Sequence, residues 1–159
     1  MLRPALLVLL LATTPAAARI VQADGQWAAI EEGGRCRAMA RSLRDAAKDR
    51  PQAYVALLFD AARQSAGTLS VRLSRPLRVG GSVILTIGDR PFLLKGQGWH
   101  AWSRGPAQEA AIIAAMRSSG GMRVESRDGA GRRSVDRYLL DGAPTAIDAA
   151  AAECARVRS

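Results

Sequence analysis

Apolar and polar residues alternate with period two over much of the chain, and the pattern changes to a helical spacing in two late stretches. Gly25 to Ile30 reads as a short strand, and Glu31-Glu32-Gly33-Gly34 as a turn. From Cys36 to Ser42, small or apolar residues (Cys36, Ala38, Ala40) alternate with Arg37 and Arg41, as in a half-exposed strand. Leu43 to Pro51 is polar and reads as a loop with room for a helical turn around Leu43–Lys48. Ala53 to Phe59 is a continuous apolar run of strand formers, expected as a buried central strand. Thr68 to Ser74 alternates, with Leu69, Val71 and Leu73 on one face. Val83 to Ile87, a turn at Gly88-Asp89-Arg90, and Pro91 to Leu94 form a hairpin pattern. Gly96-Gln97-Gly98 interrupts the alternation before Trp99-His100-Ala101-Trp102.

Pro106 then opens a helical pattern over Ala107–Arg117, with Ile112, Ile113 and Met116 on one face and Gly120-Gly121 as its stop. Met122 to Ser126 and Arg133 to Leu140 alternate again around an Asp128–Gly131 hairpin loop. Gly142-Ala143-Pro144 opens a second helix, Thr145 to about Arg156, with Ile147, Ala150, Ala151 and Cys154 at helical spacing. The sum predicts an α+β, mainly β domain: an antiparallel, sandwich-like arrangement of seven or eight short strands with two helices late in the chain. There are no internal repeats and no linker.

The N-terminal segment follows a different grammar. Arg3 gives a charged start, Ala5 to Ala12 is unbroken Ala, Leu and Val, and Ala16-Ala17-Ala18 supplies small residues after Thr13-Thr14-Pro15. This is the order of a secretory signal peptide, assigned to residues 1–23 with cleavage after Ala18 or Ala23. The apolar run is about half the ~20 residues that a membrane-spanning helix needs. The chain is therefore expected to be periplasmic or secreted and not membrane-spanning, with residues 24–159 as a single domain.

Two cysteines stand near the ends of that domain, Cys36 and Cys154. In an oxidising compartment an even pair reads as a disulfide. The alternative is two separate buried thiols. With one histidine in the chain, the pair does not make a zinc site, and no metal or cofactor is expected.

Net charge is +9, and removing residues 1–18 takes away only Arg3 and leaves +8. All but Lys48 and Lys95 of the basic residues are Arg, whose planar fork donates paired hydrogen bonds to carboxylate and phosphate. An acidic envelope surface or a protein partner fits this charge; a high-GC codon bias toward Ala, Arg and Gly is the plainer source of it. Nucleic acid does not fit, since no compact basic run, aromatic platform or recognition motif is present.

Candidate chemistry is sparse. His100, between Trp99 and Ala101-Trp102, is the one possible general base, with Asp60, Asp136 or Asp141 as conceivable carboxylate partners. No serine lies in a nucleophile-elbow or S-x-x-K context. Trp27, Trp99 and Trp102 read as core or rim residues, and Asp136 as a structural carboxylate on its strand. No catalytic residue is assigned.

The order of segments from Val83-Ile84-Leu85-Thr86-Ile87-Gly88, through Phe92-Leu93-Leu94, Ala101-Trp102, Ala111–Arg117 and Met122-Arg123-Val124, to Asp136–Ala143, Ala146–Ala150 and Cys154, resembles the invasion-associated locus B family of exported proteobacterial proteins. A looser echo lies at Trp27 and Cys36. The resemblance implies a β-rich periplasmic or surface-associated domain with no established enzymatic activity, and it supplies no catalytic set. The chain departs from that family in lacking its additional mid-chain cysteines, and Arg132-Arg133-Ser134 stands where relatives are Ser-rich. Three readings follow: an exported non-enzymatic binding protein, a hydrolase using His100 with a carboxylate, and a ligand-free structural envelope protein.

Overall fold

The computed structural model describes residues 17–60, 62–63 and 65–156. The apolar run of the expected leader lies outside them. The chain order is β1 (Arg19–Asp24), β2 (Trp27–Glu32), β3 (Arg35–Arg41), β4 (Tyr54–Asp60), β5 (Ser65–Arg72), β6 (Val83–Ile87), β7 (Arg90–Gln97), β8 (His100–Trp102), α1 (Pro106–Arg117), β9 (Gly121–Arg127), β10 (Arg133–Leu139) and α2 (Ala143–Arg156). The ten strands form one continuous antiparallel sheet in the order β1-β2-β3-β4-β5-β8-β7-β6-β9-β10.

The class, mainly β with two helices, agrees with the sequence pattern, whereas the strand count and the sandwich do not. Two strands carry little alternation of their own. β1 is almost wholly exposed, so it has no apolar face to read. β8 has three residues and follows Gly98, whose positive φ of 56° makes the turn out of β7. Together they extend the sheet instead of dividing it. The Leu43–Pro51 segment holds no helix, and its backbone is fastened by the Gln52 side chain, which accepts from Ala46 N and donates to Ser42 and Arg44 carbonyls.

Right-handed strand twist accumulates over so many strands and curls the sheet. Its far end returns toward its start: Leu43 N donates to Arg137 O at 2.8 Å, and the Trp27 indole donates to Leu139 O at 2.9 Å. The concave face is filled by the two helices. α2 packs on β1–β3, where Ala29, Ala38 and Ala40 leave room for its Ala146, Ile147, Ala150 and Cys154. α1 packs on β5 through Ile112, Ala115 and Met116. Its approach requires Gly67: a Cβ there would lie 2.6 Å from the Ile113 side chain. Gly142, at φ 80°, starts α2 so close to the β1–β2 turn that a Cβ would sit 2.0 Å from Asp24 O. No described helix is long and apolar enough to cross a membrane.

Three buried polar side chains, Ser134, Asp136 and Tyr138, lie on β10. Asp136, 2% exposed, accepts from Ser74 N at 3.1 Å, and Ser74 and Ser134 share a hydroxyl hydrogen bond at 2.9 Å. This is the structural role read from its strand position. The Tyr138 hydroxyl has no partner among the described residues. Burial, and then neighbouring Asp136, pushes its phenol above the ordinary value. Because a buried unpaired hydroxyl costs about 1–3 kcal/mol, Tyr138→Phe is expected to be neutral or stabilising in urea unfolding, the reverse of the usual core substitution.

Candidate functional site

The convex face of β2–β5, β8 and β7 is open to solvent, and strand register builds it. One row across it runs Ala28, Met39, Ala56, Ser70, Trp102, Lys95; the next runs Arg41, Tyr54, Arg72, His100, Gln97. On the other side of the first row stand Ile30, Arg37, Leu58 and Thr68. The alternate positions of the same strands (Ala40, Val55, Val71, Ala101) point into the core.

A groove of about 980 Å³ runs along this face over β3, β4 and β5. Met39, Tyr54, Leu58 and Phe59 give it an apolar floor, and Arg35, Arg37, Arg63, Glu32 and Asp60 stand along it. That volume lies in the range of small-molecule sites. Arg37 reaches Glu32 at 3.2 Å, and Arg63 reaches Asp60 at 3.7 Å. The Nε of Arg37 is nonetheless buried without a partner, as is that of Arg72. The Arg72 guanidinium lies over the Trp99 ring, 5.9 Å from its centroid. Among the described residues, Arg35, Arg41, Arg72 and Lys95 have no carboxylate partner. The half of the face around Trp102 is thus basic and aromatic, with no carboxylate in its two rows.

His100 is exposed in this half, opposite Arg72 and Gln97, and among the described residues no carboxylate or hydroxyl hydrogen-bonds it. The three aspartates lie apart from it and from one another in the fold. Asp60 holds Arg63 at the groove, Asp136 is interior, and Asp141 is in the turn before α2. No group of three or more His, Cys, Asp or Glu able to hold a metal occurs among the described residues.

At one end of the groove the two cysteines meet below the sheet. Cys36 on β3 and Cys154 on α2 are both buried and are carried as free thiols. The Cys154 thiol donates to Phe59 O at 3.1 Å. Burial first, and then the adjacent Cys154 thiol, pushes Cys36 up to about 12. The inward turn of Cys154 expected from the helical spacing of α2 is therefore present.

On the opposite part of the fold, Asp128 organises the β9–β10 loop. It accepts from Ala130 N and Arg132 N, and from the guanidinium groups of Arg75 and Arg132. Burial opposes its ionisation, but the Arg132 amide and the two guanidinium groups outweigh it and hold the carboxyl below the usual range. A lowered folded-state value stabilises the fold above the unfolded carboxyl range near 3.9, and that stability is lost as pH falls through the folded value. The stability gap between the native chain and Asp128→Asn is therefore expected to be present at neutral pH and to close in acid, measured by urea unfolding at each pH.

These elements define a class: a curled antiparallel sheet wrapped on two helices, with a groove of mixed charge on its outer face. Among solved structures it is matched by the crystal structure of invasion associated protein b from Bartonella henselae, with a TM-score of 0.63 over 89% of this chain and 100% of that chain. Sequence identity is 12%, so the likeness is one of fold. No family model and no curated protein matches the chain.

Proposed function

We propose that this chain is an exported, non-enzymatic binding protein of the bacterial envelope or its surroundings, whose outer sheet face takes an acidic ligand or partner surface. The observation that carries the reading is the set of cations without a carboxylate partner among the described residues, Arg41, Arg72 and Lys95, on the same face as a groove with an apolar floor. Unpaired cations on one face repel one another, and an anion relieves that repulsion as it binds. Trp102, 37% exposed, and Trp99 add flat apolar area next to the charges. The fold shared with an invasion associated protein supports an envelope or secreted setting. We further propose that Cys36 and Cys154 are joined after export by exchange with a disulfide oxidant of that compartment, which takes up the two electrons and two protons the thiols lose; their contact across β3 and α2 favours this.

Binding to anionic phospholipid vesicles tests the reading. Between about 0.01 M and about 0.15 M salt the screening length falls from about 30 Å to about 8 Å. Retention should drop steeply over that range, and Arg41→Glu with Arg72→Glu should abolish it at low salt. Retention that ignores both salt and the substitutions sinks the proposal. An acidic protein partner instead of lipid would show as salt-sensitive capture with no vesicle binding.

A further inference from the structure

Resting on the reading of this chain as exported, we propose that the leader is removed between Ala18 and Arg19, so that Arg19 is the first residue of the processed protein and β1 its first strand. The sequence offers two sites, Ala16-Ala17-Ala18 and Val21-Gln22-Ala23. The fold distinguishes them. β1 begins at Arg19, directly after the first site, and its ladder with β2 pairs Arg19 with Glu31, Ile20 with Ile30, Gln22 with Ala29 and Ala23 with Ala28. A cut after Ala23 discards all four pairs and leaves only Asp24 opposite Trp27. It also bares the backbone donors and acceptors of β2 as a new sheet edge, a template for pairing with other chains.

Two side chains make the same point. Val21 is half-buried against the core that α2 helps to form. Arg19 bonds the carboxylate of Glu153 on α2, which is 5% exposed and is also held by Arg156. Losing Arg19 leaves a buried carboxylate with one of its two guanidinium groups, and breaking a buried pair from one side is costly. A cut after Ala18 removes none of these contacts. Residues 17 and 18 are exposed and lie outside the strand, so a cut after them costs the folded product no ladder pair.

The test is to express residues 1–159 with their own leader in a Gram-negative host and to read the periplasmic product by intact mass and N-terminal sequencing. A chain starting at Arg19 is expected. A start at Asp24 overturns the site while leaving export intact. A periplasmic chain that keeps Met1 overturns the site while leaving export intact, and a chain that keeps Met1 and stays in the cytoplasm overturns export and the site together. Two variants separate the sites further. Ala18→Tyr should accumulate precursor with loss of processing, whereas Ala23→Tyr, at an exposed position, should be processed at Arg19 as before. The opposite pattern overturns the proposal.

Discussion

Reduction of the exported protein is expected to lower its unfolding free energy by about 4–5 kcal/mol, the loop-closure value for a bridge spanning roughly 120 residues. Cys36 and Cys154 stand near the two ends of the domain, so their bond would restrict nearly the whole unfolded chain. Urea unfolding of the oxidised chain, the reduced chain and a Cys36→Ser, Cys154→Ser double variant measures it. The reduced chain and the double variant should unfold at similar, much lower urea concentrations, with little change in spectrum beforehand. Equal stability of all three would mean that the thiols are never joined. With Cys36 pushed up to about 12, by burial first and by Cys154 second, Cys36 is held as the thiol in the folded reduced chain at neutral pH. Alkylation at Cys36 of the folded reduced chain should therefore be slow until denaturant is added.

Trp27→Ala is expected to cost about 3–5 kcal/mol, at the upper end for a core truncation. Trp27 is 1% exposed on the concave side of β2, and its indole donates to Leu139 O, which ties the start of the sheet to the end of β10. Truncation leaves a cavity and strands that carbonyl. Trp27→Phe keeps most of the ring volume and should lose mainly the hydrogen bond, about 1–2 kcal/mol. Trp102 makes the control. It lies on the convex face at 37% exposure, so its truncation leaves no enclosed cavity and Trp102→Ala should cost much less than Trp27→Ala. A large loss at Trp102 would mean that the two faces of the sheet are assigned the wrong way round.

Where a strand has one buried and one exposed face, its residues declare it. Leu69, Val71 and Leu73 alternate with Ser70 and Arg72, and β5 runs through most of that stretch. The helix starts at Pro106 and Ala143 and the hairpin turn at Gly88 were likewise legible from Pro, Gly and a change of period. β1 was not, because its side chains are almost all exposed and its only signal is a backbone ladder with β2. Nor was the candidate site. Arg41, Arg72 and Lys95 are dispersed in the sequence, and neighbouring strands bring them onto one face. The search for a short basic run could not find it, whereas the period-2 placement of Arg37 and Arg41 on β3 was the one trace of it.

The sequence by itself determined the mainly β class, the two late helices and the inward position of Cys154, because each follows from residues close together in the chain. Tertiary structure alone decided that ten strands make one curled sheet, that Cys36 meets Cys154, that His100 shares its row with Arg72 and Gln97, and that scattered arginines share a face with a groove. These depend on strand order and register, and a one-residue slip in either would send every side chain of a strand to the other side. Backbone hydrogen bonds fix that register, and they carry no side-chain signature.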